Sequence, residues 1–421
     1  MDSRLTVNYN IRHKAIQQLF NDNLHEFLEE SIAFEALGFD VNLFKANNAS
    51  LQLSGQEVMT KIPLRIILKR NALLSQIKVN GILEVTFLTK LNIDESGKLS
   101  PETTLEDYDW INPPKLSLGQ INFGVKSLAN SIIEKSRDKL LSNIDLAIEK
   151  QLNHKQQFYN YLIEAQKIKL INNELSLWLN LDISEINIAP FRNNNNFLTG
   201  NISTSGSIGF ENQSDLKSGL ANPSLPIIKW KDNIDENSKI RLNVSFNFNR
   251  LSSFCNQQFG NKNYNLGGKK LEFENIKISS SQSFIKIEAD LKGDIKGQFL
   301  FEGRPNFNKD KQIFKFDDLD INIKTKNILQ KAVIWAFKGK MKNDLSKALN
   351  FTIHDKISIL QNLIDIETQK RLKPLKINLQ CLINDIIFYD IAISNDDVSI
   401  DLVLRLYIEM TINKLDQIPL V

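Results

Sequence analysis

The chain has 421 residues, 42% apolar and 24% charged, which is the make-up of a folded protein and excludes wholesale disorder. A formal net charge of +3 is too close to neutral to point to nucleic acid. Two cysteines, Cys255 and Cys381, provide neither a metal-spaced pair nor a disulfide framework; two free thiols or one bridge both fit.

In chain order, Leu5 to Ile11 alternates and reads as a short strand, and a helix follows with Ile16, Leu19, Phe20, Leu24, Phe27 and Leu28 at helical spacing. Val58 to Leu68 and Val79 to Ile93 return to strand composition. Asp94-Glu95-Ser96-Gly97 is a turn, Lys98 to Trp110 the returning strand, and Asn112-Pro113-Pro114 its expected end. The period then changes. Val125, Leu128, Ala129, Ile132, Ile133, Leu140, Ile144 and Ile148 follow three-and-four spacing, and neither Pro nor Gly interrupts Lys126 to Leu170, so a long amphipathic helix is expected, with a break near Asn153. Strands are expected over Leu175 to Ile188 and Phe197 to Phe210, with Asn193 to Asn196 as their turn. Glu211 to Asn237 is rich in Ser, Asn, Asp and Pro and reads as a linker.

After the linker the order of elements starts again. Ile240, Leu242, Val244, Phe246 and Phe248 alternate; a short helix carries Leu251, Phe254 and Phe259; Leu271 to Ile278 and Phe284 to Phe301 are strands; Asn308 to Lys311 is a turn and Ile313 to Ile323 returns. A second long amphipathic helix spans Ile328 to Leu349, with Gly339 a point where it can kink. Ile377 to Phe388 precedes the clearest element of all. From Val398 to Ile412 every second residue is apolar, so one strand of about 50 Å, with one greasy face, closes the chain. First strands lie about 236 residues apart and last pairs about 200 apart, which is a two-copy duplication of architecture rather than a short solenoid repeat.

The segments Glu106-Asp107-Tyr108-Asp109-Trp110 with Lys115-Leu116, Gly267-Gly268-Lys269-Lys270, Gly297 to Pro305, and Thr325-Lys326-Asn327 leading to Trp335 carry a family likeness. With them, the chain resembles the tubular lipid-binding superfamily, of which bactericidal/permeability-increasing protein is the best-known member. It is most similar to a bacterial envelope family of unknown function assigned to that superfamily. The resemblance implies an α+β fold of two tandem tubular units. In each, a long helix is wrapped by a highly curved antiparallel sheet, and the units are related by a pseudo-two-fold axis. The expected boundaries are residues 1–213 for the first unit, 214–237 for the linker and 238–421 for the second.

The resemblance also implies apolar grooves that hold acyl chains. The expected function is a lipid-binding or lipid-transfer protein of the bacterial envelope. Its ligand would be a lipid or other amphipathic small molecule, with a peripheral membrane contact and no cofactor. The residues are compatible: a buried CH₂ contributes about 0.8 kcal/mol. The candidate lining is Leu402, Leu404, Leu406 and Ile408 on the last strand and Leu329, Val333 and Phe337 on the second long helix. An apolar strand face against an apolar helix face also describes an ordinary core, so a non-enzymatic structural or interaction protein with filled grooves is the alternative. The implied location is periplasmic or anchored at the outer membrane, the leader being absent from this sequence.

Catalysis is not expected. His13 and His25 do not stand one helical turn apart, as a helical metal pair requires, and His154 and His354 fall on expected polar helix faces. Gly267 to Lys270 lacks the spacing of a phosphate loop, and Gly206-Ser207-Ile208-Gly209 is no nucleophile elbow. An enzyme acting on lipid or glycan would have only the carboxylates of Glu106, Asp107 and Asp109 to draw on. These lack the glycine turn and ligand spacing of a calcium loop and read as a solvated strand edge. An outer-membrane barrel is disfavoured by the two long helices and the missing aromatic girdles.

Overall fold

The computed structural model describes residues 3–31, 33–36, 38–72, 75–94, 98–118, 121–152, 177–212, 226–266, 268–325, 350–352 and 377–414, together with helical positions 338–339, 342–343, 346–347, 358, 361–362, 365–366 and 369. The first half runs β1 (Ser3–Arg12), α1 (His13–Ser31), β2 (Ala33–Ala36), β3 (Phe39–Lys45), β4 (Ser50–Ser54), β5 (Glu57–Ala72), β6 (Ser75–Ile93), β7 (Leu99–Leu118), β8 (Ile121–Gly124), α2 (Lys126–Leu152), β9 (Leu177–Ile188), β10 (Arg192–Asn194) and β11 (Phe197–Asn212). It continues through β12 (Ile227–Trp230), β13 (Asn237–Asn247), α3 (Phe248–Phe259), β14 (Asn263–Leu266), β15 (Lys269–Ser281), β16 (Phe284–Gly293), β17 (Gly297–Asn308), β18 (Ile313–Lys324), β19 (Phe351–Thr352), β20 (Ile377–Ile393) and β21 (Asp397–Ile412).

These strands form three sheets. A seven-stranded sheet follows the order β2-β3-β5-β6-β7-β8, with β4 continuing beside β5, and a six-stranded sheet follows β14-β15-β16-β17-β18-β19. Both are antiparallel and mostly place sequential strands side by side, except that β3 pairs with β5 and that residues 325–350 separate β18 from β19. The third, eight-stranded sheet has the order β12-β9-β11-β1-β13-β21-β20, with β10 beside β11, and mixes the two halves of the chain. The halves are therefore joined through a common sheet.

The join has a two-fold pattern. Arg4 of β1 pairs with Lys239 of β13. Around that pair, Ser3 Oγ accepts from the Arg241 N–H at 3.0 Å and donates to the Arg241 carbonyl at 3.4 Å. Ser238 Oγ accepts from the Thr6 N–H at 2.9 Å and donates to the Thr6 carbonyl at 3.0 Å. One contact maps onto the other by a shift of 235 residues, Ser3 to Ser238 and Thr6 to Arg241. Under that shift Arg4 falls on Lys239, its own partner.

The same shift relates the first helix of each half. The Ala49 N–H donates to Asn21 Oδ1 at 2.8 Å, and Asn21 Nδ2 returns a bond to the Ala49 carbonyl at 3.0 Å. In the second half the Ile276 N–H donates to Asn256 Oδ1 at 2.8 Å, and Asn256 Nδ2 returns a bond to the Ile276 carbonyl at 2.6 Å. One turn earlier, Gln17 Oε1 accepts from the Leu51 N–H at 3.3 Å and Ser252 Oγ from the Ile278 N–H at 2.7 Å. The backbone groups served lie where a strand leaves its ladder: between β3 and β4 in one half, and beside the bulge that separates Glu274 from Lys277 in the other. A side-chain amide carries both a donor and an acceptor group, so it satisfies both backbone groups that the interrupted ladder strands.

The long helix α2 has 27 residues, about 40 Å. Ala129, Ile132, Leu140 and Ile144 bury its apolar stripe against Leu64, Leu83, Val85, Phe87 and Leu105 of the seven-stranded sheet. The Tyr108-Asp109-Trp110 hallmark aligns it. Trp110 Nε1 donates to Asn130 Oδ1 at 2.8 Å, the Tyr108 hydroxyl to Glu134 at 3.2 Å, and Arg137 to the Leu105 carbonyl at 2.9 Å. The later part of the expected helix, past Leu152, lies outside the described residues, as do His154 and His354.

Three local expectations are corrected. β7 does not end at Asn112-Pro113-Pro114 but runs on to Leu118. Its register shifts there, Asn80 facing Lys115 and Ile82 facing Asn112, so the prolines occupy bulge positions that need no ladder N–H. Gly81 allows it: a Cβ there would stand 2.8 Å from the Trp110 ring and 3.0 Å from the Pro114 Cα. Phe284 to Phe301 is a hairpin, β16 and β17, turning at Gly293 with φ +101°. Within the expected linker, Ile227–Trp230 is a strand parallel to β9. Trp230 Nε1 donates to the Leu91 carbonyl at 2.8 Å, and its ring meets Phe191 edge-on at 5.7 Å.

Candidate functional site

β21 is the hub of the common sheet. It pairs with β20 along its length, with β13 from Asp397 to Tyr407, and in parallel with β1 from Glu409 to Ile412. Where β13 begins, β1 takes over the edge of β21. A buried polar knot marks the changeover: Asn8 Nδ2 donates to the carbonyls of Ile408 at 2.9 Å and Glu236 at 3.0 Å, and Asn201 donates to Asn8 Oδ1.

Alternation puts Leu402, Leu404, Leu406 and Ile408 on one face of β21. They join a cluster with Ile240 and Leu242 of β13, Leu5 and Val7 of β1, and Leu379, Cys381 and Ile383 of β20. Leu406 and Ile408 are buried, whereas Leu402 and Leu404 are half-buried. The structure thus brings the four strand candidates together on a continuous apolar surface built by both halves. The three helix candidates, Leu329, Val333 and Phe337, lie outside the described residues. One helical residue further on is tied to this sheet: the Ile383 N–H donates to Gln361 Oε1 at 2.9 Å, and Gln361 Nε2 donates to the Cys381 carbonyl. Sequence reasoning missed Gln361, Asn21 and Asn256. An amide on the apolar side of a helix was the available signal.

Both cysteines are free thiols. Burial pushes the Cys381 thiol up to about 11, with the nearby Asp365 carboxylate adding to it, and burial also raises Cys255. Burial raises the Tyr9 phenol to about 12. Its hydroxyl has no partner among the described residues, and its ring lies over Gly200, where a Cβ would clash. The Glu106 to Asp109 carboxylates are exposed. Glu106 accepts from the Thr104 hydroxyl at 2.6 Å, and Asp109 accepts from the Trp110 N–H at 2.8 Å, local contacts of a strand surface. Gly268 sits at the turn joining β14 to β15 with φ +82°, and Gly267 lies outside the described residues. No described helix is long and apolar enough to cross a membrane.

Residues 1–412 match the family described as Domain of unknown function (DUF4403). The chain belongs to that family. The kinship with a family lacking an assigned function, read from the hallmark segments, is met by this match. No curated protein matches the DUF4403 chain in sequence. Among solved structures it is similar to a lipopolysaccharide binding protein at 15% identity, over 96% of this chain and 98% of that one, with a TM-score of 0.31. It is also similar to P47 of Clostridium botulinum E1 at 11% identity, over 94% and 97%, with a TM-score of 0.19. A third is Takeout 1 of Epiphyas postvittana at 10% identity, over 37% and 91%, with a TM-score of 0.17. At such scores no residue of this chain is assigned a role by superposition.

Proposed function

We propose that this DUF4403 protein is a non-catalytic lipid-binding or lipid-transfer protein of the bacterial envelope, periplasmic or held at the outer membrane, that holds acyl chains against its apolar sheet faces. The observation that carries the reading is the stripe on β21: four aliphatic residues in line, of which Leu402 and Leu404 keep part of their surface uncovered. A chain of a dozen methylenes laid along such a stripe gains roughly 10 kcal/mol from burial, enough to offset leaving a bilayer in part. The two-fold bonding around Arg4 and Lys239, and the matching amide ties of α1 and α3, support descent from a duplicated unit with one such face in each half.

The alternative is an interaction protein whose interior is filled. It is favoured by the burial of Leu406 and Ile408 on the same stripe. Leu404→Asp separates the two. In a lipid slot the variant folds and loses lipid uptake; in a filled core it fails to fold. Native mass spectrometry of the gently purified chain, offered phospholipid, is the direct measurement. Clean spectra with no adduct and no uptake would sink the lipid reading.

A further inference from the structure

We infer that the outer face of the seven-stranded sheet, at the end nearest the β5–β6 connection, docks on an anionic bilayer surface. Strand register places Lys69 beside Lys78, and Lys115 one row along, across from Asn80. In the next row Phe44, Arg65 and Ile82 stand side by side. The patch therefore crosses four adjacent strands, about 14 Å, and offers four cations against two carboxylates at its margin, Asp40 on β3 and Glu35 beside it on β2. Two large apolar side chains protrude among them: Phe44 is 43% exposed and Ile111, in the bulge of β7, is 52% exposed.

The other half of the molecule supplies the contrast. On the six-stranded sheet three outward cations are neutralised in place, Lys292 by Glu274, Lys286 by Glu302 and Arg304 by Asp318, and the exposed Lys277 and Lys324 stand apart from one another. Arg65, Lys69, Lys78 and Lys115 have no carboxylate within ion-pair distance among the described residues. The charge is also polarised along the sheet. Toward the other end, Glu84, Asp107 and Asp109 face outward, so only one end is attractive to an anionic plane, and that fixes an orientation.

A bilayer accounts for both halves of the patch. Headgroup phosphates meet the cations while Phe44 and Ile111 enter the boundary with the acyl chains. A nucleic acid explains the cations but not two uncovered apolar side chains between them. Docking does not require an acyl slot, so it is tested separately from the function proposed above. A filled protein would dock equally well.

The experiment is co-sedimentation of the full chain with phosphatidylcholine vesicles, with and without about a third phosphatidylglycerol. Binding is expected only to the anionic vesicles, and it falls with added salt. The pair Lys69→Glu with Lys78→Glu lowers it about tenfold or more. Phe44→Ser with Ile111→Ser lowers it several-fold, and Lys286→Glu with Lys292→Glu leaves it unchanged. Phe44, Lys78, Ile111 and Lys292 are exposed and Lys69 and Lys286 half-buried on outward faces, and circular dichroism verifies that each variant is folded. Failure to bind anionic vesicles would overturn the inference, as would equal loss in the Lys286 and Lys292 control. So would binding to a DNA duplex that the lysine variants abolish and the Phe44 variant leaves intact.

Discussion

The two outer sheets share an order of strands and differ in what fills them. Behind the seven-stranded sheet the buried face is mostly aliphatic, with Leu64, Ile66, Leu68, Val79 and Val85 in one cluster with α2 and with the rings of Phe39, Phe87 and Trp110. Behind the six-stranded sheet rings do much of the filling: Tyr264, Phe273 and Phe299 meet edge-on at 5.4 and 5.5 Å, and Phe301 meets Phe316 at 5.7 Å. What the halves keep in common is polar. Asn21 and Asn256 serve the same backbone groups, and Ser3 and Ser238 make the same reciprocal pair. Apolar volume can be supplied by many side chains. A stranded N–H and carbonyl next to a helix need one donor and one acceptor at fixed places, so that solution persists while the packing around it changes.

The comparison can be broken first at the cores. Leu64→Ala and Ile321→Ala each truncate a side chain only 1% exposed, and each is expected to cost about 2–5 kcal/mol. Because the common sheet joins the halves, urea unfolding followed by circular dichroism should show one transition moved in both variants. Separate melting of one half would break the picture of a shared scaffold. Next come the amide ties. Asn21→Ala leaves the Ala49 N–H without its partner, the carbonyl keeping its bond from Gln17 Nε2, and Asn256→Ala leaves both the Ile276 N–H and carbonyl without theirs, a loss of about 1–3 kcal/mol apiece. If one variant is costly and the other neutral, the two helices are not docked alike.

Alkaline pH gives a smaller handle. The folded Cys381 thiol titrates near 11 against an ordinary value of 9.0, so the unfolded chain gives up its proton first. Stability is therefore full below about pH 9 and falls between there and pH 11, by about 1.4 kcal/mol per pH unit. Cys381→Ala should flatten that part of the pH profile; an unchanged profile would show the thiol to be uninvolved. The smallest effects belong to the two-fold contact. Ser3→Ala and Ser238→Ala should each cost about 1 kcal/mol and agree with one another, as read from thermal melts. Unequal costs would show that the symmetry of the bonds is not matched in energy.

Long elements were legible because period is a strong signal when it repeats. β5, β6, β11, β13 and β21 each carry enough alternation to be read within a few residues of their ends, and α1, α3 and the 27 residues of α2 follow helical spacing. The short strands β2, β4, β8, β14 and β19 have two to five residues, too few for a period to stand out from chance even where β4 alternates as Ser50-Leu51-Gln52-Leu53-Ser54. The Asn112-Pro113-Pro114 stop failed for a related reason. Proline forbids a ladder bond, yet a bulge opposite Gly81 removes the need for one.

The amino-acid order alone determined which faces are greasy and how long the last strand runs. Those follow from side-chain spacing within single elements. Tertiary structure alone decided that β1 and β21, from opposite ends of the chain, lie side by side, and that Leu402 to Ile408 meet Leu5 and Val7. It also decided which cations find carboxylates and which stay open on the outer face. Such pairings depend on strand register between distant segments, and a local pattern of residues carries no record of its partner.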